Sequence, residues 1–308
     1  MIYRISKLTK KFLVFAFAFS MNMDAQNANP IIDKMYYNVD EAIAENVNTQ
    51  QLNLRDQQLF FLPDNISQLG ELRFLNAMKN LFEHWDLNIF KLVKLKEINL
   101  KANSLIQIPR KIGDLKNLET LDLADNAIKK INSNISELKN LERLYLSSNK
   151  LAYLPSELGK CIKLQVLELQ NNQLAYVPNS FSELINLKIL DLSYNQINEL
   201  DPIWMKLESL EDLKISYNKL TQLPEGISGF RNLKTLSLNN NKINKLPNDF
   251  GLLKNLTLAI LSNNQLTILP SNISELINLK TLILTGNNIS ENEKTRIKKA
   301  LPNCKIYF

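Results

Sequence analysis

A chain of 308 residues, 45% hydrophobic and 22% charged, can bury a large core, while its seven glycines leave little material for a phosphate-cradling loop. Its formal charge of +6 comes partly from the first residues, since removing 1–25 leaves 33 basic against 30 acidic side chains. Acids and bases then alternate along the chain instead of gathering on one face, which argues against nucleic acid as a partner, and a single histidine excludes a histidine-rich metal site.

The chain opens with Arg4, Lys7, Lys10 and Lys11, then the apolar run from Phe12 to Ser20, then small or polar residues through Asp24-Ala25-Gln26. This is the layout of a secretory signal peptide, with cleavage expected after Ala25 and, as second choice, after Ser20. The run is too short to span a bilayer, and no later segment approaches the ~20 apolar residues of a membrane helix. No transmembrane segment is therefore expected in the mature chain. No cysteine lies near either cut, which argues against a lipid anchor. Residues 26–48 are expected to form an N-terminal cap, in which Asn38-Val39-Asp40-Glu41-Ala42-Ile43 starts a short helix with a box-like cap.

A 23-residue interval then takes over, marked by Asn103, Asn126, Asn149, Asn172, Asn195, Asn218, Asn241, Asn264 and Asn287. It extends backward to Asn80 and Gln57, giving eleven repeats over 49–289. With each asparagine counted as position 9, positions 1, 4 and 6 are apolar, as in Leu118, Leu121 and Leu123. The alternation predicts a short strand with one buried side. An asparagine amide both donates and accepts, so stacked asparagines can satisfy the turn backbones of adjacent repeats. Apolar residues continue at positions 11, 14, 18 and 21, and seven repeats carry proline at position 15, from Pro63 to Pro270. Proline fixes φ there and starts a short helical or irregular return limb.

Such a period predicts an α/β leucine-rich-repeat solenoid, with a parallel sheet on the concave face and short helical or irregular segments on the convex one. Beyond the array, 290–308 are expected to cap the C-terminal edge: Ser290-Glu291-Asn292-Glu293 starts a helix, and Leu301-x-x-Cys304-x-Ile306 repeats the strand pattern one residue early.

A solenoid of this kind is chiefly a surface for holding another molecule, and its ligand-facing positions are 3, 5, 7 and 8. Repeats 5 to 8 stand out there, with Tyr145, Val166, Ile189, Tyr194 and Tyr217 accompanied by Arg143, Glu168, Asp191, Asp212 and Lys214. Apolar and aromatic side chains rimmed by charge are typical of interface hot spots, although β-branched and aromatic residues also suit exposed strand positions for their own sake. Leu258, Ile260 and Ile283 form a second cluster. Ala259 stands where an inward leucine belongs, which leaves open whether Leu258 and Ile260 face the core or the ligand side. Phe74 and Met78 form a third, with packing under the N-terminal cap as the alternative.

Chemistry is hard to find. His84 lacks the partners of a catalytic triad and reads as a loop residue. Cys161 and Cys304, too far apart to join, read as small core residues. Asp122, Glu168 and Asp191 share position 5, but Tyr145 interrupts the column and a solvated polar face is favoured over a calcium site. No enzyme activity, cofactor or metal is expected.

The 23-residue unit with Leu-Pro at its centre, the leader and the closing Leu301-Pro302-Asn303-Cys304-Lys305-Ile306-Tyr307-Phe308 resemble the secreted leucine-rich-repeat proteins of pathogenic leptospires, from the first repeat to the last residue. The repeat is widespread and the closing octapeptide is the more specific part. The resemblance implies an exported or surface-associated protein with host proteins among its candidate contacts. It implies no catalytic residues and fixes no ligand. A periplasmic scaffold binding an endogenous partner is the alternative reading. Partner identity and oligomeric state stay open.

Overall fold

The structure is a computed structural model that describes residues 34–308; the expected leader and its cleavage site lie outside them. Each repeat contributes one short strand to a shared sheet. The strands are β1 (Met35–Tyr36), β2 (Gln51–Asn53), β3 (Phe74–Asn76), β4 (Glu97–Asn99), β5 (Gln107–Ile108), β6 (Thr120–Asp122), β7 (Lys130–Ile131) and β8 (Arg143–Tyr145). They continue as β9 (Val166–Glu168), β10 (Ile189–Asp191), β11 (Asp212–Lys214), β12 (Thr235–Ser237), β13 (Leu258–Ile260), β14 (Thr281–Ile283) and β15 (Lys305–Tyr307). Thirteen of them form a single sheet in chain order, while β5 and β7 pair with each other on the flank where the chain leaves the sheet.

Pairing is parallel with equivalent residues aligned, so Leu144, Leu167, Leu190 and Leu213 stand in one row. All four are buried, as are the leucines at positions 1 and 6 such as Leu187 and Leu192. One apolar core therefore runs the length of the array. The period that a single repeat cannot bury alone is buried by its neighbours.

The asparagines do what their spacing predicts. Asn172 Nδ2 donates to Leu169 O of its own repeat at 3.0 Å and to Leu146 O of the preceding one at 2.9 Å, and its Oδ1 accepts from Leu151 N at 2.9 Å. Asn195, Asn218 and Asn264 repeat the pattern. Each side chain thus closes its own turn and ties it to the previous one.

The residue at position 8, just before Gln57 and each asparagine, adopts left-handed backbone, from Asp56 (φ 59) through Tyr194 (φ 56) and Tyr217 (φ 55) to Gly286 (φ 78). A left-handed L-residue costs roughly 1–2 kcal/mol. Inter-repeat bonds offset it: Tyr194 N donates to Ser216 O at 2.8 Å and Tyr217 N to Asn239 O at 2.9 Å.

On the return limb, 3-10 segments of three or five residues follow position 15. Of the repeats that continue into a 3-10 limb, 2, 4 and 7 lack the proline, and there Asp86, Asn132 and Asp201 accept from the backbone N–H two residues on, at 2.7, 3.0 and 2.9 Å. A side-chain cap thus replaces a fixed φ as the way to start the turn.

The ends are closed by α1 (Val39–Asn46) and α2 (Glu291–Ala300). Asn38 Oδ1 accepts from Glu41 N at 3.1 Å, and Ser290 Oγ from Glu293 N at 3.3 Å, as the two box-like starts predict. Ahead of the first repeat, β1 adds a strand that the repeat pattern does not announce. The last strand sits differently from the expected register. Ile306, not Cys304, pairs with Leu282, because the ten-residue α2 and the turn after it take up one residue more than the usual return limb. Cys304 is consequently half-buried instead of a core residue, while Cys161 is fully buried; both are free thiols, and burial pushes each up to about 11.

A concave candidate protein-binding face

The ten residues singled out at repeats 5 to 8 come together on the concave side. Arg143 and Tyr145 on β8 stand in register with Val166 and Glu168 on β9, these with Ile189 and Asp191 on β10, and these with Asp212 and Lys214 on β11. Strands ~4.8 Å apart put each such pair within touching distance. Tyr194 and Tyr217 follow β10 and β11 on the left-handed residues, and their rings stack with centroids 4.2 Å apart and planes 9° from parallel. They are 52% and 44% exposed.

Tyr145 departs from expectation. It is buried, at 8% exposure, standing in register between Asp122 and Glu168 on the neighbouring strands. Burial first, then the Glu168 charge, holds its phenol well above its usual value. Tyr145 therefore supports the face more than it presents a ring to a partner.

The charged residues are partly desolvated. Burial pushes the Asp122 carboxyl up to about 6, against the hydrogen bond its Oδ1 accepts from Ala124 N at 3.0 Å. Burial likewise raises Glu168, Asp191 and Asp212. Lys214, which burial alone would pull down, is held above its ordinary value by Asp212 and Asp191, with its Nζ 3.3 Å from Asp212 Oδ2. Asp212 Oδ1 and Gln170 Oε1 on the same face are buried without a hydrogen-bond partner among the described residues. Arg143 is occupied locally, donating to Thr120 Oγ1 at 3.2 Å and lying 3.8 Å from Glu142.

Sequence reasoning passed over part of this face. Gln170 sits at position 7, one of the ligand-facing positions but not among the ten residues singled out, and its buried oxygen leaves no sequence signal. The second cluster is settled by the structure. Ala259 fills the core row between Leu236 and Leu282, so no register change occurs and Leu258 and Ile260 lie on the concave side. Ile283 and Tyr307 stand beside Ile260 in the next two strands, giving a half-buried apolar patch at the C-terminal end. Phe74 and Met78 are buried, not presented. His84 is exposed on the loop flank, away from the sheet. Among the described residues no group of three or more His, Cys, Asp or Glu side chains could hold a metal ion, and no helix is long and apolar enough to cross a membrane.

Comparison with known proteins agrees with the architecture. Family models described as a leucine-rich repeat region, two copies of leucine-rich repeats and a leucine-rich repeat match residues 80–170, 162–203 and 185–243. No curated protein matches. Among solved structures, a leucine-rich-repeat protein of Leptospira interrogans is 28% identical over 90% of this chain and 100% of its own, with a TM-score of 0.34. The plant peptide hormone receptor RGFR1 in complex with RGF2 is 28% identical over 77% of this chain, with a TM-score of 0.67. The ectodomain of an Arabidopsis thaliana receptor kinase in complex with Casparian strip integrity factor 2 is 26% identical over 84%, with a TM-score of 0.69. The chain spans 40% and 35% of the lengths of these two receptors. With the repeat models running unbroken from 80 to 243 and the sheet built strand by strand on the same period, the chain is a leucine-rich-repeat protein.

Proposed function

We propose that the chain is a non-catalytic binding module, secreted or held at the cell surface, that grips a partner protein, host proteins included, on the concave face of repeats 5 to 8. The stacked Tyr194–Tyr217 pair carries this reading. In other repeats the same left-handed position is taken by Asp, Ser, Asn, Ala, Lys or Gly. After glycine, asparagine and aspartate tolerate that backbone best, and an aromatic ring gains nothing from it. Two half-exposed rings on strained backbone, beside carboxylates that are only partly solvated, fit a surface kept for contact with another molecule.

The unpartnered Asp212 oxygen and the raised carboxylates beside it would gain from a donor or cation supplied by the partner. The two plant receptors, each solved in complex with its ligand, support the expectation that an array of this kind holds a protein or peptide. Export rests on the basic and apolar layout of residues 1–25.

The test is capture from an extract of host membranes and matrix, using the chain beside a Tyr194→Asn, Tyr217→Asn double variant that keeps the left-handed backbone. A protein retained by the parent and lost by the variant is the expected result. Equal retention would move the site off repeats 5 to 8. No retention by either would overturn the host-directed part and leave an endogenous envelope partner.

A further inference from the structure

Repeat 2 breaks its own pattern at two positions that touch. Position 14 is Leu, Ile or Val in repeats 1 and 3 to 10, but Trp85 here, and position 19 is Ser or Gly in most repeats, but Phe90 here. The indole does not fit the slot that Ile108 or Leu154 fills completely. It stays half-buried, donates from Nε1 to Gln107 O at 2.7 Å, and stacks on Phe90 with centroids 5.7 Å apart. The flank is thereby propped open into a cleft of about 310 Å³ between repeats 2 and 3. Trp85, Phe90, Leu87, Ile106 and Pro109 line it, with Leu87 62% and Ile106 41% exposed.

Its rim is basic. Arg110, Lys111 and His84 border the opening against a single acid, Glu83, and none of these four makes an ion pair among the described residues. Some cations of the array are paired across repeats, as in Lys94–Glu71, Lys96–Glu119 and Lys234–Glu211; what sets Arg110 and Lys111 apart is that they stand over an apolar cleft. Uncommitted cations over an aromatic floor are the complement of a molecule with the opposite arrangement. The volume lies at the small end of ligand sites, where apolar walls supply most of the contact and a few polar groups fix orientation.

The geometry points to a second binding site in this cleft, independent of the concave face, for a small amphiphilic anion: a planar apolar body lying against Trp85, with one acidic group held by Arg110 and Lys111. The chain carries its own reporter, because its two tryptophans are Trp85 in the cleft and Trp204, which is 2% exposed in the core. The experiment is a titration of the ¹⁵N-labelled chain with naphthalene-2-carboxylate, and in parallel with uncharged naphthalene-2-carboxamide, following the two indole N–H signals. Trp85→Leu, which restores the repeat pattern, assigns the signals and closes the cleft.

The expected result is a saturable shift of the Trp85 signal, an unmoved Trp204 signal, and binding of the amide weaker by about tenfold. Arg110→Ala with Lys111→Ala should weaken the carboxylate by a similar factor while leaving the Trp204 signal in place, which shows that the fold survives. Equal binding of carboxylate and amide would overturn the proposal by showing an apolar gap without anion recognition. Absence of any saturable Trp85 shift would overturn it outright.

Discussion

The asparagine turns and the concave strip lie within a few residues of each other in every repeat, yet they follow opposite rules. At the turns, Asn172 and Asn195 make the same bonds to the same backbone positions 23 residues apart. On the strip, equivalent positions hold Asp122, Tyr145, Glu168, Asp191, Lys214, Ser237 and Ile260, which share nothing but their place. The repeated positions answer to the core and the backbone, which look alike in each unit. The varied positions face away from the core, where no shared row or backbone bond calls for one residue type. Substitutions on the two sides should separate stability from binding.

The largest effect is expected in the core row. Leu190→Ala removes a side chain packed between Leu167 and Leu213 and 1% exposed, which should cost about 2–5 kcal/mol. A urea unfolding midpoint measures it, and a loss below ~1 kcal/mol would mean that the repeats do not share one core. Asn172→Ala comes next. It strands Leu146 O, Leu169 O and Leu151 N, and should cost on the order of 1–3 kcal/mol. If Asn172→Ala were as harmless as a surface change, the bonds across repeats would be dispensable and the regularity of the turns would need another cause.

On the strip, Asp122→Asn is expected to act in the opposite direction. Its folded value of about 6 lies above the ordinary ~3.9 of an aspartate. Between those two values the folded state holds a proton that the unfolded chain releases, so this residue makes stability fall as pH rises from about 4 to 6. The asparagine variant keeps the acceptor for Ala124 N and removes that slope, stabilising the chain at pH 7 by on the order of 1–2 kcal/mol and by much less near pH 4. Midpoints at the two pH values decide it. An equal difference at both would show that Asp122 titrates normally.

The same contrast explains what could be read in advance. Strands, turns and core were legible because they recur: the apolar pattern at positions 1, 4 and 6 and the asparagine interval state the same requirement from repeat to repeat. The register of β13 was ambiguous because Ala259 weakens that signal at one point, and β15 was misplaced because the helix before it breaks the 23-residue interval by one residue. The gathering of the ten strip residues followed from register alone. The burial of Tyr145 did not, since it depends on how closely neighbouring side chains converge. The left-handed residue before each asparagine went unread for a different reason: Asp, Lys, Ala, Ser, Asn and Tyr share no chemistry, and the requirement lives in the backbone.

That backbone requirement gives the smallest expected change in stability and the sharpest test of the comparison. Tyr217→Asn loses a ring stack of about 0.5–1.5 kcal/mol and replaces an unfavourable left-handed residue with one that tolerates the conformation. The two terms oppose each other, so the unfolding midpoint should move by less than ~1 kcal/mol in either direction. Affinity for a partner held at repeats 5 to 8 should nevertheless fall by about tenfold or more, as expected for a half-exposed aromatic at the centre of a contact. If instead the midpoint falls by several kcal/mol while affinity is kept, the tyrosine pair belongs to the repeated, stabilising part of the molecule, and the division between turn and strip fails at the place where it is most exposed to test.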